Sequence, residues 1–289
     1  MITLNELNNL PKKDAFEALE RCCVAKNWIN KVIENRPFFN EEALINTASN
    51  IWFNQCNKND YLEAFTGHPK IGDVNSLKEK FAHTSKWAEN EQAKVEEANI
   101  NTIEALAKAN EDYEQKFGYI FIVSASGKSA EEMLTIINTR LHNTIEDEIY
   151  VAMNEQHKIT VIRLVKLLKS LKNHDSLKSH ITTHALDTAL GVPAKQMVIT
   201  LNQIQNNNTK PISVGVTNTD GRIADILPPG RFLKPGIYAM VFKTEAYYKL
   251  TNQNGFYPEV VIQFKVTDKS HYHIPLLVNP FGYSTYRGS

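Results

Sequence analysis

The stretch Lys172-Asn-His-Asp-Ser-Leu-Lys-Ser179 is polar, lacks any apolar period, and divides two unlike textures. Before it, apolar residues recur at helical intervals: Phe16, Leu19 and Cys23 fall at i, i+3 and i+7, and Leu44, Ala48 and Ile51 follow Asn40, a residue suited to capping a helix start. After it, β-branched and aromatic runs dominate: Met197 to Leu201, Ile212 to Val216, Ile237 to Phe242, Val260 to Val266 and Tyr272 to Val278. Turn chemistry such as Thr219-Asp-Gly-Arg222 and Pro228-Pro-Gly230 separates them, and Glu245 to Leu250 is the one helix expected among them. The reading is therefore an all-α N-terminal domain over 1–170, a short linker over 171–179 and an all-β sandwich over 180–289.

Within the first half, Ser129-x-x-Glu132 and Thr144-x-x-Asp147 have the spacing of capping boxes, each opening a long apolar-periodic segment. A helix is expected from near Ser85, and another from near Thr102 that carries Ile103, Leu106, Asn110, Tyr113 and Phe117 and stops at Gly118. Tyr119-Ile-Phe-Ile-Val123 is a buried extended run too short for a helix.

A chain of 289 residues exceeds what one core usually organises, which agrees with two domains. Its 32 basic and 32 acidic residues cancel, without a block of like charge, so nucleic acid and anionic membrane are not expected partners. Up to Ser179 there are 22 basic against 26 acidic residues, and beyond it 10 against 6, an asymmetry too mild to point to a partner. Cys22, Cys23 and Cys56 are odd in number and lack CxxC spacing, which argues for a reducing compartment and for packing roles. Acids and amides break every apolar run of the N-terminal stretch, and no run of roughly 18 apolar residues occurs, so neither a signal peptide nor a membrane span is expected. A cytoplasmic protein is the expectation, the final residues Tyr286 to Ser289 not forming a peroxisomal tail.

In the second half, chemistry-bearing residues gather in Thr182-Thr-His184-Ala-Leu-Asp187, Thr219-Asp-Gly-Arg222 and His271-Tyr-His273. His271 and His273, two apart in a strand, share a face. A lone strand histidine is ordinarily a satisfied or solvated residue, and a zinc site is not expected because no third ligand recurs at a suitable interval. The closing Phe281 to Ser289 is unusual for a chain end in carrying aromatics and an arginine. Taken in order, Thr183-His-Ala-Leu-Asp-Thr188, Asn218-Thr-Asp-Gly-Arg222, His271-Tyr-His-Ile-Pro-Leu-Leu277 and Tyr286-Arg-Gly-Ser289 resemble the 5-hydroxyisourate hydrolases, the enzymatic relatives of transthyretin, over about residues 180 to 289. The resemblance implies catalysis by His184, Arg222 and His273, and a tail of Tyr286, Arg287, Gly288 and Ser289 completing the site at a subunit interface. Those residue types suit the reaction: imidazole can activate water near neutral pH, and a guanidinium can stabilise an oxyanion. His271 receives no role from the resemblance.

In the first half, Gly67 and Pro69 hold His68 on a stiff loop after the apolar run Tyr61 to Phe65. Glu91 shares an apolar stripe with Trp87, Val95 and Ala98, and Arg163 one with Ile149, Met153, Ile159 and Leu167. A charge so placed needs a partner, which a structural ion pair or a ligand could equally supply. Gly67-His-Pro-Lys-Ile-Gly72, Glu91-Gln92, Phe117-Gly-Tyr-Ile-Phe-Ile-Val-Ser-Ala-Ser-Gly127 and Glu155-Gln-His-Lys-Ile-Thr-Val-Ile-Arg-Leu164 resemble the 2-oxo-4-hydroxy-4-carboxy-5-ureidoimidazoline (OHCU) decarboxylases over about residues 5 to 170. That resemblance implies His68, Glu91 and Arg163 as catalytic residues, with Pro69, Ile120, Ile122 and Ser124 at the substrate. Lys70 stands where the family often has arginine.

Together the halves resemble allantoin-synthase-type fusions, which implies small-molecule substrates, no cofactor or metal, and a homotetramer built through the sandwich. Plant fusions are peroxisomal, but the linker carries no matching signal. Two other readings stay open at this point: a transthyretin-like ligand carrier on a helical scaffold, and an active hydrolase joined to a helical half without activity.

Overall fold

The computed structural model describes residues 1–68, 92–125, 128–168, 179–205 and 208–288, the backbone alone being described over 92–99. The expected linker 171–179 and the helix expected near Ser85 lie outside these residues, save for Ser179 and the part from Gln92 onward.

The first half is helical and the second is a β-sandwich. Helices α1 (Leu4–Asn9), α2 (Lys12–Glu20), α3 (Lys26–Glu34), α4 (Glu41–Gln55), α5 (Lys58–Phe65), α6 (Gln92–Phe117), α7 (Ala130–Arg140) and α8 (Ile145–Leu167) surround a core containing Trp28, Trp52 and Tyr113. Local sequence sets their ends. Asn40 accepts from Ala43 N at 2.8 Å, Ser129 and Glu132 close a reciprocal capping box, and Thr144 accepts from Asp147 N. Gly118 ends α6 at φ +78°, a conformation that favours glycine. No break falls at Thr102, because neither Gly nor Pro interrupts the chain between Gln92 and Phe117 and one hydrogen-bond ladder runs through. Trp28 and Trp52 each donate their indole N–H to a main-chain carbonyl, Trp28 to Ala48 O at 3.0 Å and Trp52 to Met153 O at 2.9 Å.

Helix α8 departs from the single apolar face read in the sequence. From Glu148 to Lys158, all but Tyr150 are buried, including Asn154, Glu155, Gln156, His157 and Lys158. A run that would sit on a wetted face in an isolated helix is covered because helices pack on one side of α8 and the sandwich on the other.

The sandwich has two sheets. One orders β2 (Val192–Pro193), β1 (Ile181–Asp187), β8 (Tyr272–Asn279) and β9 (Gly282–Thr285), with β5 (Arg222–Ile223) also pairing β1. The other orders β4 (Asn208–Val216), β3 (Val198–Gln205), β6 (Gly236–Phe242) and β7 (Val260–Val266). The pair β1 and β8 runs parallel, placing Thr182 opposite His273, and the other pairs are antiparallel. Helix α9 (Thr244–Leu250) lies where the sequence puts it. The inner faces close over Leu201, Tyr238, Met240 and Phe242. At the turn after β1, Asp187 accepts main-chain N–H groups from Ala189 and Leu190, the Tyr247 hydroxyl and the Gln253 amide. Burial opposes its ionisation, but these donors outweigh it and hold the carboxyl below its usual pKa.

The halves meet along a seam. Val151 of α8 packs with Val198 and Val214 of the sandwich, Asn154 donates to Ser213 Oγ at 3.1 Å, and Arg231 donates to Asn154 Oδ1. Ser49 of α4 donates to Pro229 O at 3.3 Å. Gly230, at φ +76°, lets the loop come this close: a Cβ there would stand 2.7 Å from Ser49 Oγ. Among the described residues no helix is long and apolar enough to cross a membrane.

Candidate active sites

In the sandwich, strand pairing assembles a cluster from three segments distant in sequence. His184 is the register partner of Arg222 across β1 and β5, and Thr182, two residues earlier on the same face of β1, is opposite His273 on β8. Thr182 Oγ1 lies 3.0 Å from His271 Nε2 and 2.9 Å from His273 Nδ1. One hydroxyl can donate to one ring and accept from the other, so the tautomers of the two histidines are linked through Thr182. The tail returns to this cluster: Gly288 pairs with His273 and donates its N–H to His273 O at 3.1 Å, while the Arg287 guanidinium lies 5.6 Å from the Tyr272 ring centre. The Tyr286 side chain is exposed, and Ser289 is outside the described residues.

Burial lowers the pKa of both His184 and His273, and the Arg222 cation beside them lowers it further. Both imidazoles are thereby kept in the basic, neutral form to lower pH than an ordinary histidine. Removing the cation in Arg222→Gln should raise both pKa values toward the usual range, and a proton NMR titration of the ring signals reads this directly. Unmoved titration curves would mean that Arg222 does not share their field.

In the helical half, His68 follows α5, and Arg163 stands on α8 close enough to lower its pKa, after the larger effect of burial. His68 Nε2 is 2.7 Å from Gln156 Oε1. The orientation of that amide is set by its other end: Gln156 Nε2 donates to Thr160 Oγ1 at 3.3 Å, while the Thr160 hydroxyl donates to Gln156 O at 3.1 Å. With Oε1 as acceptor, His68 carries its proton on Nε2 and leaves Nδ1 basic. Arg163 NH1 donates to Cys22 O at 3.4 Å, the side chain is only partly buried, and no other hydrogen bond is found for its fork among the described residues. Pro69 and Glu91 lie outside the described residues.

The extended run 119–125 is gripped by charges. Arg140 NH1 donates to Ile122 O at 2.7 Å, Ser124 N donates to Glu155 Oε2 at 2.8 Å, and Lys128 donates to Ser124 O at 2.9 Å. Arg140 is itself held by Glu148 and Tyr113, all three being buried. Lys158 pairs with Glu155 at 2.7 Å. Burial works against its ammonium, but Glu155 and then Asp225 of the sandwich outweigh it and keep its pKa above normal. Main-chain groups of Ile122 and Ser124 are thus engaged with the protein, and Ile120 is partly buried beside them.

Gln156, Thr160, Glu155 and Thr182 were not singled out by sequence reasoning. Thr182 sits within a quoted motif, two residues before His184, and strand periodicity alone puts both on one face. Gln156 likewise sits within a quoted motif, Glu155 to Leu164, but a polar run in a helix reads as solvated until its neighbours are known.

Comparison with known proteins agrees with this division. The OHCU decarboxylase family matches residues 8–165, and the HIUase/transthyretin family matches residues 181–288. The uric acid degradation bifunctional protein TTL of Arabidopsis thaliana is 32% identical over 93% of this chain and 96% of its own length. A 5-hydroxyisourate hydrolase of Ralstonia nicotianae is 46% identical over 38% of this chain and 97% of its own. The crystal structure of (S)-allantoin synthase covers 100% of both chains at 23% identity and a TM-score of 0.46. The chain belongs to the family of uric acid degradation bifunctional proteins, in which an OHCU decarboxylase domain precedes a HIUase/transthyretin domain.

Proposed function

We propose that the chain opens 5-hydroxyisourate at the His184, Arg222 and His273 cluster and decarboxylates the OHCU so formed at the His68 and Arg163 cluster, giving (S)-allantoin and carbon dioxide. The observation that carries this is the union, on one chain, of a full-length match to a bifunctional relative with two histidine–arginine clusters, one in each matched half.

For the hydrolysis, His273 donates its Nδ1–H to Thr182, Thr182 donates to His271, and His273 Nε2 is left to take a proton from the attacking water. Arg222 holds the negative charge that develops on the attacked carbonyl oxygen, the ring C–N bond breaks, and the proton passes to the leaving nitrogen. The tail Tyr286 to Ser289 closes over the substrate, and His271 serves as the acceptor at the end of the relay. In the decarboxylation, Arg163 clamps the anionic end of OHCU while Nδ1 of His68 takes the hydroxyl proton. The C–C bond to the carboxylate breaks, its electrons form a double bond to the neighbouring ureido-bearing ring carbon as the ring imine nitrogen takes up a pair, and that neighbouring carbon is protonated on one face while the hydroxyl carbon becomes the carbonyl, so no cofactor is needed. Glu91 and Pro69 complete this site, with Ile120, Ile122 and Ser124 forming its wall.

The reading includes domain limits of 1–170 and 180–289 with a linker over 171–179, a cytoplasmic location and a homotetramer joined through the sandwich. Exposed apolar side chains beside the edge strands, Leu190, Val192, Phe281 and Tyr283, support association there. The test is to supply 5-hydroxyisourate to protein treated with chelator and dialysed. Expected are complete loss of the substrate's ultraviolet band and an optically active product. Racemic product would leave only the hydrolase working, an unchanged rate of substrate loss would fit a carrier, and activity restored by metal would overturn the cofactor-free chemistry.

A further inference from the structure

The seam between the halves contains a cleft of about 520 Å³, within the range of roughly 300–1,000 Å³ typical of small-molecule sites. Its helical wall includes Phe53 and Tyr150, and its sandwich wall brings Lys210, Arg231, Lys234 and Lys269. Among the described lining residues there are four cations and no carboxylate. Arg231 is the most telling of them. Its guanidinium lies 4.2 Å from the Phe53 ring centre and donates to the neutral Asn154 Oδ1, and no ion pair is found for it among the described residues. Burial depresses its pKa to about 10, the mark of a charge lacking a compensating anion. Lys210 lies 3.8 Å from the Tyr150 ring centre and Lys269 5.4 Å from that of Phe232. Contacts with ring faces offset part of the cost of a half-buried cation but do not neutralise it.

Net charge over the whole chain is zero, so this concentration of positive charge is local. Concave shape, aromatic walls and cations that have no ion pair among the described residues together select a small organic anion. We propose that this cleft is a binding site, separate from both reaction clusters, for a flat heterocycle bearing a carboxylate. The carboxylate takes the fork of Arg231 with Lys234 and Lys269 around it, and the ring lies against Tyr150 and Phe53. If the proposed function holds, the OHCU released by the sandwich is a related heterocyclic carboxylate, its carboxylate carried on a tetrahedral ring carbon, and the cleft borders the helix that carries Gln156 and Arg163.

Orotate, an unreactive flat ring with a carboxylate, is a suitable probe, titrated calorimetrically into the full chain. One site per chain is expected, weakening as salt rises. Lys234→Glu and Lys269→Glu, both on exposed or edge positions where folding is not at stake, should each weaken binding by at least about tenfold. His68→Ala and His273→Ala should leave it unchanged, which separates this cleft from the reaction sites whether or not those are active. Inorganic phosphate should displace orotate only at far higher concentration, because it cannot use the aromatic walls. Normal binding by the two charge-reversed variants, binding lost in the histidine variants, or equal competition by phosphate would each overturn the proposal.

Discussion

Gly288→Ala should abolish the opening of 5-hydroxyisourate while leaving decarboxylation of supplied OHCU at its normal rate. The methyl group would stand 2.4 Å from His273 Cδ2 and 3.0 Å from Cγ. That ring cannot retreat, because its Nδ1 is tied to Thr182 at 2.9 Å and its main chain, in β8, is paired with β1. The tail must lift instead, losing the hydrogen bond from Gly288 N to His273 O and moving Arg287 and the chain end away from the cluster. Misplacing groups that close a site by an ångström or so is enough for a loss of about a hundredfold or more. Stopped-flow absorbance on each substrate, with circular dichroism to show intact folding, measures the effect. Full hydrolase activity in the folded variant would remove the tail from the site.

His68→Ala should give the opposite outcome. Substrate absorbance should vanish as fast as before, but the allantoin formed should be racemic, since spontaneous decay of OHCU lacks a chiral environment. Loss of a positioned acid–base group costs about 10² to 10⁴ in rate. Here the loss transfers all turnover to the background path, so the optical rotation of the product falls to zero. Gln156→Leu serves as the companion variant: without the Oε1 acceptor, His68 loses the bond that selects its tautomer, and decarboxylation should slow while product that does form enzymatically remains one enantiomer. Optically pure allantoin from His68→Ala at the wild-type rate would exclude this residue from the chemistry.

Much of the fold was legible because its signals are local. Asn40, Ser129 and Thr144 cap helices by accepting from the N–H three residues on, and the alternation in Val260 to Val266 requires nothing beyond its own strand. What depends on neighbours is less legible. Thr102 could have capped a helix, yet the ladder from Gln92 runs through it, since a capping residue does not end a helix without a breaker. Periodicity gives helix α8 one buried face, whereas the sandwich covers the other and turns Asn154 to Lys158 into interior residues. The same distinction holds for the sites. His184, Arg222 and His273 could be named from motifs, but the hydroxyl linking two imidazoles follows from β1 and β8 being parallel neighbours, a long-range fact. Gln156 stands next to a motif histidine, His157, that turns instead to Ser49 Oγ at 2.8 Å and is held neutral by burial, its pKa pushed down to about 3.

The seam around Val151, Asn154 and Arg231 joins surfaces that are also covalently linked through the ten residues between Leu168 and Ser179. Tethering makes docking an intramolecular event, with an effective concentration in the millimolar range for a short connection. A contact too weak to hold two free proteins together therefore stays closed nearly all the time. Selection on such a contact for tightness is correspondingly relaxed, which leaves room for a partly polar junction with an arginine that has no carboxylate partner among the described residues. Two separately made halves would face a dilution of several orders of magnitude at the concentrations of ordinary enzymes, and the same junction would fall apart.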